Sequence, residues 1–186
     1  MISLVKYNGN IKEEYENLFL DFPPEVIFPL ETIEKAYKNN QYIIIHLYQT
    51  NNKIGYAHLV KTNKTIVLSF LSIKKDLRGQ GLGHIFMSKL KDYFNEFANI
   101  LVEMKEEPSR MKFYESLGYT RQKNIKYQIK SQEKNEYLDI CLYMLNLNIT
   151  HENIYSYEEI KEIIDLYYQV LFKDNFKEKY KLIKEL

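Results

Sequence analysis

A short run rich in glycine, residues 78–83, has the composition of an anion-binding turn. It follows a β-branched apolar run and leads into a long helical pattern. Glycine lets backbone N–H groups approach a phosphate, because no Cβ stands in the way. The free N–H groups and positive dipole end of the following helix would face the same anion, and arginine suits phosphate oxygens. The residues predicted to hold a pyrophosphate are Arg78, Gly79, Gln80, Gly81, Leu82 and Gly83.

Two other anion-binding motifs do not fit this run. A P-loop requires Gly-Lys-Ser/Thr at the start of the helix, whereas Gly83 is followed by His84. A dinucleotide-binding fingerprint that begins at Gly79 would need glycine where His84 stands. One that begins at Gly81 would need glycine where Phe86 stands. A tight turn whose glycines only cap a helix is the remaining alternative.

The elements that must position this turn are a mixed set of strands and helices. The patterns predict strands at 2–6, 42–49, 54–60, 65–73, 100–104, 119–130 and 136–147, and helices at 11–20, 30–38, 82–97 and 108–118. This order is not a regular βαβ alternation. We therefore predict an α/β (α+β) fold, with a mixed sheet of six to seven strands flanked by helices.

Composition is that of an ordinary soluble domain. The chain has 186 residues, 45% hydrophobic and 27% charged, with a formal net charge of +1. That balance supports neither nucleic acid nor an anionic membrane as a partner. No apolar stretch approaches about 18 residues and no signal core begins the chain, so we expect a cytoplasmic protein. Cys141, the single cysteine, cannot form an internal disulfide, and no metal is expected.

Two segments together resemble the signatures of the GNAT superfamily of N-acetyltransferases. Residues 68–83, a strand, a polar loop and Arg-x-x-Gly-x-Gly, resemble its acetyl-CoA-binding motif. Residues 110–119, Arg-Met-Lys-Phe-Tyr-Glu-Ser-Leu-Gly-Tyr, resemble its second signature, a helix ending in Phe-Tyr-x-x-Leu-Gly-Phe/Tyr. The occurrence of both segments in this order is a more specific indication of the family than either segment alone. The resemblance covers residues 1–146 and implies a GNAT-type acyl-CoA N-acyltransferase fold with acetyl-CoA as co-substrate.

The resemblance also implies where acetyl-CoA would lie. The backbone of Leu71, Ser72 and Ile73 would hydrogen-bond the pantetheine arm where the neighbouring strand splays away. A backbone N–H near there would stabilise the oxyanion of a tetrahedral intermediate. Many relatives carry an asparagine before the second signature helix, which contacts the cofactor. Here either Ser109 takes its place or that contact is missing.

The reaction implied by the resemblance is direct attack of a primary amine on the thioester. Tyr114 matches a tyrosine that in many relatives protonates the leaving thiolate, whose pKa is about 8.5; core packing is its alternative role. A lysine-like amine, with a pKa of about 10.4, needs a base. The strand that precedes the motif has no carboxylate, so Glu103 on the next strand is the first candidate, unless it is merely exposed. His46 and His58 follow it.

The acceptor is expected opposite the cofactor, between the first helices and the last hairpin. In the loop 21–29, the carboxylates of Asp21 and Glu25 accompany Phe22 and Phe28. Such a wall could receive a cationic amine on an apolar body, from a small molecule or a peptide. An ordinary proline-stiffened loop is the alternative interpretation.

Residues 147–186 are predicted to form a C-terminal helical extension beyond a GNAT domain at 1–146. An apolar stripe from Tyr157 to Leu171 has helical spacing, and a break at 174–175 precedes a final Lys/Glu-rich helix. The extension either packs on its own domain, docks on a second subunit in a homodimer or covers the acceptor site.

Three functions are compatible with these features. The first is an N-acetyltransferase that modifies a primary amine. The second is a non-catalytic acyl-CoA-binding or regulatory module, because the strand before the motif lacks a carboxylate. The third is an enzyme that uses another acyl-CoA or acts on protein N-termini or RNA. Acetyl-CoA consumption in the presence of amines distinguishes the first two.

Overall fold

The computed structural model describes residues 1–147 and 154–185, which contain a sheet of nine strands. The strands are β1 Ile2–Lys6, β2 Tyr42–Gln49, β3 Asn52–Lys61, β4 Thr65–Ile73, β5 Asn99–Met104, β6 Thr120–Arg121, β7 Ile125–Lys130, β8 Tyr137–Asn146 and β9 Tyr180–Lys184. Their order is β1-β2-β3-β4-β5-β8-β7-β9, and β6 pairs with β8. Only β4 and β5 run parallel; every other pairing among these strands is antiparallel.

Helices cover both faces of the sheet. They are α1 Ile11–Asp21, α2 Leu30–Lys38, α3 Leu82–Tyr93, α4 Pro108–Ser116 and α5 Tyr157–Phe172, with 3₁₀ turns at Pro24–Val26, Lys75–Leu77 and Lys173–Glu178. Apolar residues of α1, α2 and α5 form one core with the first face, here called the α5 face. Residues of α3 and α4 form a second core with the other, here called the α3 face. None of these helices is long and apolar enough to cross a membrane.

The mixed α/β class predicted from the sequence is confirmed, but the sheet has more strands than the predicted six to seven. The strand predicted at 119–130 is divided into a two-residue β6 and β7. The last strand, β9, was not predicted and pairs with the edge of β7.

The final Lys/Glu-rich helix predicted after residue 175 is wrong. Residues Lys173–Glu178 form a 3₁₀ turn, and Tyr180–Lys184 pair with β7 as an antiparallel strand. Tyr180 and Leu182 lie opposite Ile129 and Tyr127, so the segment packs aromatic and apolar residues against the sheet. The pairing also gives partners to backbone groups of β7 that would otherwise lie on an open edge. Tertiary pairing therefore outweighs the helical preference of lysine and glutamate.

Helix α5 packs on the sheet of its own chain. Ser156 and Glu159 form a capping box at its start, which satisfies N–H groups that the helix itself leaves unpaired. Its buried side chains lie in the core of the α5 face and are Ile160, Ile164, Tyr167, Tyr168 and Leu171. The extension thus contacts its own domain, while docking on a second subunit and covering the acceptor site stay predictions.

Strands β4 and β5 separate halfway along their length. They pair from Thr65 opposite Asn99 to Leu68 opposite Val102 and no further. At the next position of β4, the register with β3 shifts, so that Ser69 is an extra residue between Leu68 and Phe70. A bulge of this kind bends the bulged strand. The bend coincides with the end of the pairing, and the remainder of β4 stays paired only with β3.

Candidate active site

A cavity of about 560 Å³ lies where β4 and β5 separate. Its walls include residues 68–73 of β4 and Glu103 and Met104 of β5. Tyr114 and Met104 belong to the core of the α3 face, whereas Phe28 and Tyr167 belong to that of the α5 face. The gap between the strands therefore connects the two faces of the sheet.

The β4 edge of the cavity carries the residues predicted to receive a pantetheine arm. Leu71, Ser72 and Ile73 all line the cavity. Each is paired with β3, and no β5 residue lies opposite them in the described part of the chain. A strand edge without a partner presents N–H and C=O groups to a ligand. The divergence expected of these two strands is thus present.

The glycine turn has the geometry of an anion-binding cradle. Gly79 and Gly81 have φ angles of +79° and +76°, a region that other residues enter only with strain. Gly81 is the N-cap of α3, whose first-turn N–H groups have no helical partner. A Cβ on Gly79 or Gly81 would meet no atom within 4 Å, so the space in front of both is open. That open space favours a ligand-binding turn over a purely structural helix cap.

The other predicted residues of the turn differ in their surroundings. A Cβ on Gly83 would lie 3.2 Å from Phe113, so this glycine allows α3 to approach α4 closely. Leu82 is buried in the core of the α3 face, which leaves only its backbone for an anion. The Gln80 side chain is exposed, and its Nε2 donates to the carbonyl of Asp76 at 3.5 Å.

Arg78 lies beside the cradle, but its guanidinium is bonded within the protein. Its Nε donates to the carbonyl of Ile73 at 2.8 Å, and its NH2 lies 3.0 Å from Oδ1 of Asp21. The other oxygen of Asp21 accepts from the hydroxyls of Tyr56 and Ser72, both at 2.8 Å. The guanidinium therefore anchors the end of β4 to helix α1.

Tyr114 projects from α4 into the cavity wall. Its ring packs against those of Phe113, Tyr119 and Tyr143, with centroids 5.0, 5.5 and 6.2 Å away. Its hydroxyl has no hydrogen bond to another residue in the described ranges. Burial raises the pKa of Tyr114 above its usual value, despite an opposing effect of nearby Arg110. The phenol is therefore protonated at neutral pH and free to donate.

Glu103 also lines the cavity, and three tyrosines surround its carboxylate. The hydroxyl of Tyr127 donates to it, and the nearby hydroxyl of Tyr167 stabilises its charged form. The hydroxyl of Tyr168 lies 3.0 Å from that of Tyr127, and Tyr167 lies 3.0 Å from Oγ of Ser69. Burial raises the pKa of Glu103 to about 7, although the hydroxyls of Tyr127 and Tyr167 oppose the shift. Glu103 is therefore not an exposed strand residue, and it changes charge near neutral pH.

The three tyrosines were not identified as site residues from the sequence. Tyr127 belongs to β7, while Tyr167 and Tyr168 belong to α5, between 24 and 65 positions away from Glu103. The helical stripe that contains Tyr167 did predict its burial. No local signal indicated that its hydroxyl would meet a carboxylate on β5.

The two histidines considered as bases lie away from the cavity. His58 is fully buried, with Nδ1 3.0 Å from the hydroxyl of Tyr42, and burial lowers its pKa to about 3. His46 Nε2 lies 3.2 Å from a carboxylate oxygen of Glu14. Burial alone would raise the pKa of Glu14, but His46 and Lys53 lower it to about 2. Both histidines therefore have structural environments.

The loop before α4 brings Ser109 to the cavity. Ser109 lines it, and its hydroxyl donates to the carboxylate of Glu107. Glu107 also pairs with Arg110 at 2.6 Å, and Glu106 pairs with Arg121 at 3.0 Å. The position suits the cofactor contact predicted for Ser109, while the two glutamates have partners of their own.

The two loop carboxylates predicted to receive the amine are both engaged. Asp21 is paired with Arg78, and Glu25 with Lys105. The predicted role of the loop's aromatic residues agrees better with the structure, because Phe22 and Phe28 both line the cavity. The loop thus supplies apolar surface, and its two carboxylates are neutralised in place.

The arrangement fits acetyl-CoA in three respects: an unpaired strand edge, an open glycine cradle at a helix N-terminus and a protonated phenol in the cavity wall. In the described residues, no group of three or more His, Cys, Asp or Glu could hold a metal ion. A mixed sheet that parts at such a cavity agrees with the class that the sequence resemblance implies, the acyl-CoA-dependent N-acyltransferases.

Comparison with known proteins agrees with this class. Residues 11–130 match the family model described as "Acetyltransferase (GNAT) domain", which is more than half of the chain. The protein therefore belongs to the GNAT family of acetyltransferases, enzymes that use acetyl-CoA. Among curated proteins, none has a sequence that matches this chain.

Several solved structures share the fold. The ribosomal-protein-S18-alanine N-acetyltransferase of Escherichia coli is 18% identical, with a TM-score of 0.61 over 84% of this chain and 100% of that one. A GNAT-family protein of Bacteroides thetaiotaomicron is 17% identical, with a TM-score of 0.69 over 88% of this chain and 92% of that one. The spermidine N-acetyltransferase of Vibrio cholerae is 15% identical, with a TM-score of 0.61 over 78% and 94%. At these identities the likeness concerns the fold.

Proposed function

We propose that the protein transfers the acetyl group of acetyl-CoA to a primary amine of a small molecule or peptide. Glu103 is the general base and Tyr114 the general acid. The observation that carries the proposal is that both groups line one cavity, from opposite faces of the sheet, where β4 and β5 part. An amine on one face and a thioester on the other would meet in that gap.

The cofactor side is formed mainly by backbone. Gly79, Gly81 and the first turn of α3 hold the pyrophosphate, with Arg78 fixing the adjoining end of β4. Leu71, Ser72 and Ile73 receive the pantetheine arm along their unpaired edge, and Ser109 lies beside it. Bound acetyl-CoA supplies an activated acyl group, whose thiolate leaves more easily than an alkoxide would.

The two side chains divide the proton transfers between them. Glu103, with a pKa raised to about 7, is ionised in about half of the molecules at neutral pH and accepts a proton from the amine. Tyr114, kept protonated by burial, donates to the departing sulfur. Both groups thus have the protonation state that their role requires.

The segment beyond residue 146 is, in this proposal, part of the catalytic domain. The hydroxyl of Tyr167 on α5 lowers the pKa of Glu103, and the hydroxyl of Tyr168 adjoins that of Tyr127, which donates to Glu103. The family model ends at residue 130, so α5 is an addition outside the matched region. These phenols are positioning residues, because they act through the carboxylate.

The activity is tested by following free thiol. The full chain is mixed with acetyl-CoA and a panel of primary amines, after calorimetric titration has measured acetyl-CoA binding. We expect binding in a 1:1 ratio and thiol release that depends on the amine. Binding without release for every amine would contradict catalysis and favour an acyl-CoA-binding module.

Replacing Tyr114 by phenylalanine is expected to lower kcat about 10- to 100-fold, because the thiolate then leaves without a positioned donor. The affinity for acetyl-CoA should stay within about twofold, since the ring and its packing remain. Steady-state rates and calorimetry measure the two quantities. Tyr93→Phe, on the exposed side of α3, is the matched control. An unchanged kcat would return Tyr114 to a packing role.

Replacing Tyr167 by phenylalanine is expected to shift the pH profile of kcat. The hydroxyl of Tyr167 lowers the pKa of Glu103, so removing that hydroxyl raises this pKa above 7. The acidic limb should therefore move to higher pH, by about one unit for a bond worth about 1.4 kcal/mol. Tyr157→Phe makes the same change on the same helix, away from Glu103. A lower kcat with an unmoved limb would indicate a merely structural role.

A further inference from the structure

The charged groups that line the cavity neutralise one another in pairs. The pairs are Asp21 with Arg78, Glu25 with the lining residue Lys105, and Glu107 with Arg110. Glu103 is different, because its partners are tyrosine hydroxyls. Of the acidic residues in the described part of this lining, it alone has no cationic partner. One carboxylate is therefore left for a cation that enters the cavity.

The wall on the α5 face, beyond Glu103, is apolar. Its side chains are Phe22, Val26, Phe28, Ile129 and Ile140, all of which line the cavity and pack with the core of that face. The polar groups on this side bond to one another: the hydroxyls of Ser69 and Tyr167 lie 3.0 Å apart, and the hydroxyl of Ser72 donates to Asp21 at 2.8 Å. The wall thus offers hydrophobic surface and few free polar groups.

We infer that the acceptor is a primary amine with a single positive charge on an apolar body, an arylalkylamine or an alkylamine. Its ammonium group lies against Glu103, and its ring or chain packs on Phe28, Ile129 and Ile140. A second ammonium group would lie against these apolar side chains without a counter-ion, which is costly. The structure therefore selects against diamines and polyamines. This inference rests on the proposed function of Glu103.

The transfer balances for such an amine. Glu103 takes one proton from the ammonium ion, and the neutral nitrogen forms a C–N bond with the carbonyl carbon of the thioester. The C–S bond breaks, and sulfur leaves with its electron pair and takes a proton from Tyr114. The amide nitrogen loses its extra proton, which returns through solvent to Tyr114. Glu103 releases to solvent the proton that it took from the ammonium ion. The products are an amide, CoA with a free thiol and one proton.

A matched series of amines tests the inference on the unaltered protein. Hexylamine and 2-phenylethylamine carry one charge on an apolar body, whereas 1,6-diaminohexane and spermidine carry more than one. We expect kcat/KM for hexylamine to exceed that for 1,6-diaminohexane by at least about tenfold. Phenylalanine amide and the dipeptide Phe-Ala-amide present a similar ring and amine. A higher kcat/KM for the dipeptide would indicate a peptide acceptor, and a higher kcat/KM for phenylalanine amide would indicate a small molecule.

A new carboxylate on the apolar wall should reverse the preference. Val26 is only partly buried, so Val26→Asp places a second negative charge beside the cavity, and thermal unfolding checks that the variant is folded. We expect its ratio of kcat/KM for 1,6-diaminohexane over hexylamine to rise at least about tenfold. Ile183→Asp, which adds the same charge on exposed β9 outside the cavity, should leave the ratio unchanged.

The outcomes separate this inference from the function it rests on. Equal or faster turnover of 1,6-diaminohexane or spermidine by the unaltered protein would overturn the inference and leave the acetyltransferase intact. Thiol release with none of the amines would overturn the proposed function, and the inference with it. Slow diamine turnover with an unchanged ratio in Val26→Asp would also count against it, because the apolar wall would not be the cause.

Discussion

Replacing Glu103 by glutamine is expected to lower kcat about 10²- to 10⁴-fold, while acetyl-CoA binds with nearly unchanged affinity. Glutamine keeps the size of the side chain and can still accept a bond from Tyr127 or Tyr167. It cannot accept a proton from the amine, which would then have to lose it to solvent. Initial rates of thiol release at saturating amine measure kcat, and calorimetry measures acetyl-CoA binding.

The pH dependence of kcat tests the role of Glu103 more specifically than the rate at a single pH. A base must be ionised to act, and burial raises the pKa of Glu103 to about 7. The activity of the unaltered protein should therefore fall as pH decreases through about 7, since the protonated fraction of Glu103 rises. Glu103→Gln should lack this acidic limb and keep a low, flatter profile.

The matched control is Glu162→Gln, which makes the same change on the exposed side of α5. It should retain both the rate and the acidic limb. If Glu103→Gln kept its activity, or kept a limb with a midpoint near 7, proton transfer would belong to another group. The cavity would then have been assigned the wrong base.

Replacing Gly81 by aspartate is expected to weaken acetyl-CoA binding by about 100-fold or more. The new carboxylate would lie at the N-terminus of α3, where a pyrophosphate is expected, and would repel it. The φ angle of +76° adds strain of about 1–2 kcal/mol for any residue with a Cβ. Calorimetric titration with acetyl-CoA measures the loss, and thermal unfolding measures the strain.

Gly81→Asn separates charge from strain, because asparagine has nearly the same size and no charge. It should bind acetyl-CoA more tightly than Gly81→Asp while unfolding at a similar temperature. S-acetylpantetheine lacks the pyrophosphate, so its use as acetyl donor should not distinguish the two variants. Equal acetyl-CoA affinity in the Asp and unaltered proteins would place the pyrophosphate site elsewhere.

Local sequence was enough for the parts of the site that depend on neighbouring residues. A positive φ at Gly79 and Gly81 strongly favours glycine, so the residue types of this segment predict the turn. Pro108 and Gly118 likewise bound the helix that carries Tyr114, apart from a short turn at its end. The two signatures lie within short segments, so their order along the chain predicted the family and the fold.

Contacts between side chains that lie far apart along the chain could not be predicted from local sequence. Arg78 was expected to bind phosphate, yet it pairs with Asp21, 57 positions earlier. The strand β9 was expected to be a helix, because lysine and glutamate favour helices and the open edge of β7 is not visible in local sequence. The phosphate contact of Arg78 stays a prediction, whereas the predicted final helix is wrong because the pairing of β9 with β7 outweighs a local preference.

By itself, the sequence determined the family, the glycine cradle and the helix that presents Tyr114, because each rests on residues close together in the chain. Only the tertiary structure decided the protonation behaviour of Glu103, because the presence of a glutamate in the sequence does not indicate how far its pKa is shifted. Tyr127 and Tyr167 reach it from β7 and α5, and their packing removes water from its carboxylate. Desolvation is a property of the assembled fold, so the group that changes charge near neutral pH emerges only when strand and helix meet.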